Sequence, residues 1–311
     1  MLKWAWAFSL GFGFSFAAQG APCCAGSNSV PALITGDEAS FLSIGLSTGS
    51  TLADAPAKGQ GLPVFRDDLS AKESRQALVL NYSKLLDGDR WQAGATLPVF
   101  VNSLENAGHR KSQASLGDVS CTLGYEAVPE WEYSEWKPRV FTFVQGTFPS
   151  GKSIYQSNGL LFSDVGGLGQ YQGAMGAVAI KRWSRFDANF VLKLARIFSR
   201  SFSSASAPGT DVDSSYGISS SLGIGYSFAE RLRFGLSLAP EYQSSYAVAS
   251  GRSLEQTSFK LAWNTGLSLT YLAGLNDSLV LGYNDQTWVG PAFNTALLRT
   301  ASLSFTHRIE R

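Results

Sequence analysis

Gly146-Thr147-Phe148-Pro149-Ser150-Gly151-Lys152-Ser153 fits the phosphate-cradling expression G-x-x-x-x-G-K-[ST] letter for letter. In that motif a Gly-rich loop opens a helix whose N-terminal amides hold phosphates while the lysine reaches the terminal ones. Residues 154–167 are rich in Gly and Ser and carry no helical periodicity. The stretch therefore reads as a strand end and turn, shaped by Pro149 and Gly151, and no nucleotide is expected to bind. Gly45-Leu46-Ser47-Thr48-Gly49 fits the nucleophile-elbow expression, which needs a strand-to-helix turn in an α/β sheet. No α/β alternation surrounds it. His307 offers a subtler possibility, a lipid hydrolase with serine and histidine on the outer wall of a barrel. A lone histidine among generic serines does not make a matched constellation, so His307 reads as a polar residue at a barrel rim. The chain is not expected to be an enzyme.

Metal chemistry is equally poorly supplied. Two histidines (His109, His307) and three cysteines occur without ligand spacing, so neither a metal nor another cofactor is expected. Cys23 and Cys24 are adjacent and cannot staple a long loop, and Pro22 before Cys23 disfavours lipid modification. They read as an exposed N-terminal pair, and Cys121 reads as a small apolar strand residue. What remains is a set of charges that fall on the inward parity of strands: Asp118, Glu126, Asp187, Lys193, Arg233, Glu241 and Lys260. They are the candidate lumen-lining residues. Both signs occur, so no strong ion selectivity is expected. The charges either line an open pore or pair across the lumen and plug it.

The elements that position these residues are strands. Only 16% of the 311 residues are charged, against roughly 25% in a soluble domain, while 32 are Gly and 13% are aromatic. That mixture suits strands with one face to lipid and the other to a wet lumen. The 25 basic and 24 acidic residues nearly balance, which removes the electrostatic case for nucleic acid. Met1-Leu2-Lys3, an apolar run from Trp4 to Phe16 and the small residues Ala17 to Ala21 form a secretory signal peptide over 1–20. The run is shorter than the roughly 20 residues that span a bilayer. Residues 21–36 are then expected to be an N-terminal periplasmic segment carrying the cysteine pair, and 37–311 the barrel.

Alternation of period two predicts an all-β fold, a transmembrane antiparallel up-and-down β-barrel of 12 strands. Tyr216, Ile218, Leu222, Ile224 and Tyr226 alternate with Gly217, Ser219, Ser221, Gly223 and Gly225; Val119, Cys121, Leu123 and Tyr125 oppose Asp118, Ser120, Thr122 and Glu126. Odd-to-even connections (48–74, 102–115, 149–168, 199–213, 245–256, 286–294) are long, and most even-to-odd ones are short. This is the asymmetry of outer-membrane barrels, with both termini in the periplasm. The chain finishes on charged Arg311 rather than the terminal Phe common in such barrels, so its signal to the barrel-assembly machinery is expected to be variant.

Gly117-Asp118-Val119-Ser120-Cys121-Thr122-Leu123-Gly124-Tyr125, with Phe141-Thr142-Phe143-Val144-Gln145-Gly146-Thr147-Phe148-Pro149-Ser150-Gly151 after it, resembles the outer-membrane barrel family named for the meta-pathway of phenol degradation. The resemblance covers about the middle third of the chain. It implies a channel or transporter, often for aromatic compounds. The expected function is passive passage of a small solute, itself unidentified, through a barrel surrounded by outer-membrane lipid. The alternative is a structural or surface-interaction barrel with a plugged lumen.

Overall fold

The computed structural model describes residues 31–310 apart from 57, 60–62, 66–70, 87–89, 107–108, 131–133, 135, 158–162, 205–206 and 252. The expected signal peptide and the Cys23–Cys24 pair lie outside the described residues. Among the described residues eighteen strands succeed one another as β1 (Glu38–Ala55), β2 (Val64–Phe65), β3 (Ala71–Leu85), β4 (Trp91–Asn106), β5 (His109–Leu116), β6 (Val119–Val128), β7 (Arg139–Phe148), β8 (Gln172–Trp183), β9 (Phe186–Ile197), β10 (Arg200–Ser204), β11 (Ala207–Val212), β12 (Ser215–Ala229), β13 (Leu232–Gln243), β14 (Ala247–Ser250), β15 (Ser253–Gln256), β16 (Lys260–Leu272), β17 (Asp277–Asp285) and β18 (Thr295–Glu310). Twelve of them form the wall: β1, β3, β4, β6, β7, β8, β9, β12, β13, β16, β17 and β18, each antiparallel to the next. β18 pairs back onto β1 from Glu38↔Glu310 to Ala55↔Thr295, which closes the barrel. The closed twelve-strand barrel is the one the alternation predicts. In lipid an open edge would leave a row of amides and carbonyls unpaired, at several kcal/mol each.

Alternation sets the register. On β1, Leu42, Ile44 and Leu46 are exposed on the outer face while Ser43, Gly45 and Ser47 are half-buried and face in. Their partners on β3 are Tyr82, Leu80 and Leu78, so apolar side chains stand beside apolar ones across the outer surface. A slip of one residue would turn every one of these into the lumen, and the pattern forbids it. Aromatic side chains cluster on the outer face near both ends. Trp91 meets Tyr125, and Phe186 meets Tyr226, each with ring centres 4.8 Å apart, at the end with the short turns. Phe148 and Tyr171, 6.5 Å apart, stand at the end with the long loops. Two such belts are where amphipathic rings sit at a membrane's interfaces.

Twelve strands about 4.8 Å apart and tilted about 40° enclose a cylinder of roughly 12 Å backbone radius. At one end, β8 joins β9 through residues 184–185 and β12 joins β13 through 230–231. At the other, segments that the sequence reads as loops are further strands. The connection 102–115 is the upper part of β4 paired with β5, and 199–213 and 245–256 supply β10, β11, β14 and β15, which form a separate four-stranded sheet. Pairing satisfies their backbone polar groups as they rise out of the barrel. Short Ser- and Ala-rich strands such as Arg200–Ser204 carry too little alternation to stand out in sequence.

Candidate functional site

The lumen is lined by the inward parity of the wall strands, and it is filled unevenly. On the β7–β9 side bulky apolar residues face in. Phe141 and Phe143 of β7, Val178 of β8 and Val191 of β9 form an apolar cluster inside the barrel, and Leu33 completes it. Leu33 belongs to residues 31–36, the last part of the stretch read from sequence as periplasmic, and this part runs inside the barrel. Ala32, Leu33 and Ile34 are all buried, Ile34 to 1% exposure. The Ile34 amide donates to Gln92 Oε1, and Gln92 Nε2 donates back to the Ile34 carbonyl at 3.1 Å. The wall makes room for the segment with inward glycines. A Cβ on Gly94 would strike the Ala32 carbonyl, and one on Gly124 would lie 2.5 Å from Leu33 Cδ2.

A collar of inward arginines rings the short-turn end, and one of them, Arg139, anchors this segment. Arg139 Nε meets the Glu126 carboxylate at 2.5 Å, and its Nη1 reaches the Gly36 carbonyl at 3.1 Å and Asp37 at 3.2 Å. On the next part of the ring Arg233 grips Asp187 bidentately, with Nε–Oδ2 at 2.6 Å. Arg308, 2% exposed, completes the collar beside Glu38, also buried. Glu126, Asp187 and Arg233 are on the inner face of the wall, and each is held in an ion pair.

Asp118 is inward too, and it ties down a loop. Its carboxylate accepts from the Leu168 amide at 2.7 Å and the Gly151 amide at 3.0 Å. Those contacts hold Gly151 and Leu168 of the 149–171 connection against the inside of the barrel at the long-loop end. There Asn102 donates to the Val165 carbonyl at 2.6 Å and Arg75 to the Gly166 carbonyl at 3.5 Å. Tyr155 stacks on Phe202 with ring centres 5.3 Å apart. Burial, with Tyr246 alongside, pushes its hydroxyl up to about 12. The phosphate-loop look-alike lies in this connection. It leads into a single 3-10 turn, Ile154–Gln156, and Lys152 pairs with Asp164 at 3.5 Å. That geometry offers no helix N-terminus to a phosphate. Replacing Asp118 by Ala removes two hydrogen bonds to a charged acceptor and is expected to free the loop at a cost of about 3 kcal/mol. Limited proteolysis reads this as faster cutting within 149–171 with the barrel intact; an unchanged cutting rate would refute the anchor.

The opposite side of the lumen is lined by small polar residues. Ser43 and Ser47 of β1, Asn81 of β3, Asn264 of β16, and Ser302 and Ser304 of β18 face in and are half-buried. The Ser219, Thr270 and Ser302 hydroxyls, on inward positions, find no protein partner among the described residues. Lys193 and Glu241 also face in, beside the apolar cluster. They flank Ser219 in one row across β9, β12 and β13, close enough to feel each other's charge and without an ion-pair contact. Lys260, at the long-loop start of β16, is exposed. Outside the barrel, His307 Nδ1 lies 2.8 Å from Asp277 Oδ1 across the β17–β18 pair. Among the described residues no group of three His, Cys, Asp or Glu side chains is placed to hold a metal.

The solved structure of the COG4313 outer membrane channel from Pseudomonas putida F1 superposes with a TM-score of 0.65 at 14% identity, over 94% of this chain and 98% of that one. The fold is that of an outer-membrane barrel. Weaker likenesses include the NanC porin (TM-score 0.44, 11% identity, 86% and 100% covered) and a Pseudomonas aeruginosa FadL homologue (TM-score 0.44, 9% identity, 88% and 91% covered). No protein-family model matches the chain, and no curated protein does. The likeness to the phenol meta-pathway barrels therefore rests on the two strand motifs alone. Of the seven inward charges chosen from sequence, the structure gathers Glu126, Asp187 and Arg233 in the short-turn collar, sets Lys193 and Glu241 in one row, and leaves Asp118 and Lys260 at the long-loop end. Gln92, Asn102 and Arg139 escaped sequence reasoning. The first two occupy inward positions of β4, and that parity is the signal that could have found them.

Proposed function

We propose that this chain is a bacterial outer-membrane channel for passive passage of small solutes, with both termini on the periplasmic side. The observation that carries the reading is the uneven lumen. Beside the segment and the apolar cluster, the inward Ser43, Ser47, Asn81, Asn264 and Ser304 are only half-buried, as suits side chains that face a wet lumen. A barrel built only as a scaffold would fill that side as densely as the other. Hydrophobic or aromatic solutes are the class suggested by the resemblance that the two strand motifs carry. The barrel's apolar outer face is covered by outer-membrane lipid, and its insertion falls to the barrel-assembly machinery. Nothing in the arrangement calls for an enzyme.

Planar-bilayer recording of the purified protein tests the proposal. Discrete conductance steps are expected. A bilayer that stays sealed at all voltages would leave the plugged structural barrel in its place.

A further inference from the structure

A groove of about 870 Å³ runs across the outer, lipid-facing wall over β6–β9. Its floor runs along one cross-strand row, Cys121↔Gly146↔Gly173, and that row ends on Arg196 beside Tyr216. Larger side chains rise on either side: Val144, Met175 and Leu194 toward the short turns, and Phe148, Tyr171 and Phe198 toward the long loops. The two floor glycines are not imposed by the fold. A Cβ on Gly146 would meet nothing closer than 3.9 Å, and one on Gly173 nothing closer than 3.5 Å. Both are ordinary contacts, so the barrel would tolerate side chains there, and their absence is what keeps the groove open.

Arg196 stands ten residues beyond Phe186 on β9, which places it about 25 Å up the wall. That equals the height of the apolar band of an outer-membrane barrel, so the guanidinium lies at the far interface. It is exposed, 5.7 Å from the Phe198 ring centre and 5.5 Å from that of Tyr216, and no carboxylate pairs with it among the described residues. An interfacial guanidinium held between two rings at the head of an apolar groove is complementary to one kind of molecule.

We propose that the groove binds a lipid with an anionic phosphate head group, one acyl chain lying along Cys121, Gly146 and Gly173 and the phosphate on Arg196. The proposal rests on the barrel spanning a membrane and not on any channel activity. Arg, with its planar fork of donors, matches phosphate oxygens in pairs.

The test is native mass spectrometry of the full folded barrel released from detergent with phosphatidylglycerol or with diacylglycerol of identical chains, which lacks the phosphate. One phosphatidylglycerol is expected to stay bound, and the diacylglycerol to be retained about tenfold less. Arg196→Gln should abolish the difference between the two lipids. Gly173→Leu, which fills the floor, should lose both, while each variant keeps the wild-type unfolding midpoint. Equal retention of the two lipids by the wild type, or variants that bind as it does, would overturn the proposal. So would a Cys121–Cys121 cross-link between chains under mild oxidation, because it would give the groove to a second copy. A failure of the membrane reading shows separately, as a chain that does not insert into vesicles.

Discussion

A chain refolded from Asp37 onward passes roughly twice the current per channel of one that retains residues 31–36. The reasoning is geometric. A backbone radius of roughly 12 Å leaves a bore of about the same width once inward side chains are subtracted from both walls. An extended peptide with its own side chains takes up much of that width at the level of Gly94 and Gly124, where the wall has been thinned to admit it. Removing it exposes Phe141, Phe143, Val178 and Val191 to the lumen and returns about half of the cross-section. Gln92→Ala, which cuts both hydrogen bonds to Ile34, should move conductance in the same direction by less, with noise from a segment that comes and goes. Single-channel recording of the three proteins decides it. If the shortened chain conducts no more than the complete one, the segment does not set the width of the passage.

The segment explains why the lumen is only half legible in sequence. Parity on a strand is a local property, so the inward assignment of Asp118, Glu126, Asp187, Lys193, Arg233 and Glu241 comes from neighbours two residues away. What lies opposite an inward residue is not local. Glu126 is thirteen residues from Arg139, but Arg139 reaches back 103 residues to the Gly36 carbonyl. Arg233 finds Asp187 46 residues earlier on a strand that is not its neighbour. Residues 31–36, Pro-Ala-Leu-Ile-Thr-Gly, have no alternation and no strand of their own, so in sequence they resemble a tether outside the barrel. Their burial is written instead in the wall, as Gly94 and Gly124 at positions where other barrel strands carry Ser, Thr or Asn. The strands in the long connections are hidden for a related reason. Hairpins that leave the membrane no longer need one apolar face, and the period-two signal fades just where the strands continue.

Substituting Arg139 by Ala should lower the barrel's stability by about 3–5 kcal/mol, the largest effect expected of any single side chain here. The Glu126 carboxylate is 9% exposed at the side chain and Arg139 13%, so the pair has little water to fall back on. Removing the arginine strands a charge inside the collar, and it also frees the Gly36 carbonyl and Asp37. Glu126→Gln with Arg139→Gln should recover most of the loss, because the carboxylate is gone along with its partner. Guanidinium unfolding tracked by tryptophan fluorescence measures both. The same experiment separates stability from passage: Arg139→Ala that remains folded should conduct like the chain begun at Asp37, since both release the segment, whereas the double Gln variant keeps hydrogen-bond donors to hold it. An Arg139→Ala barrel with an unchanged midpoint and unchanged conductance would mean that the collar neither braces the wall nor holds the segment.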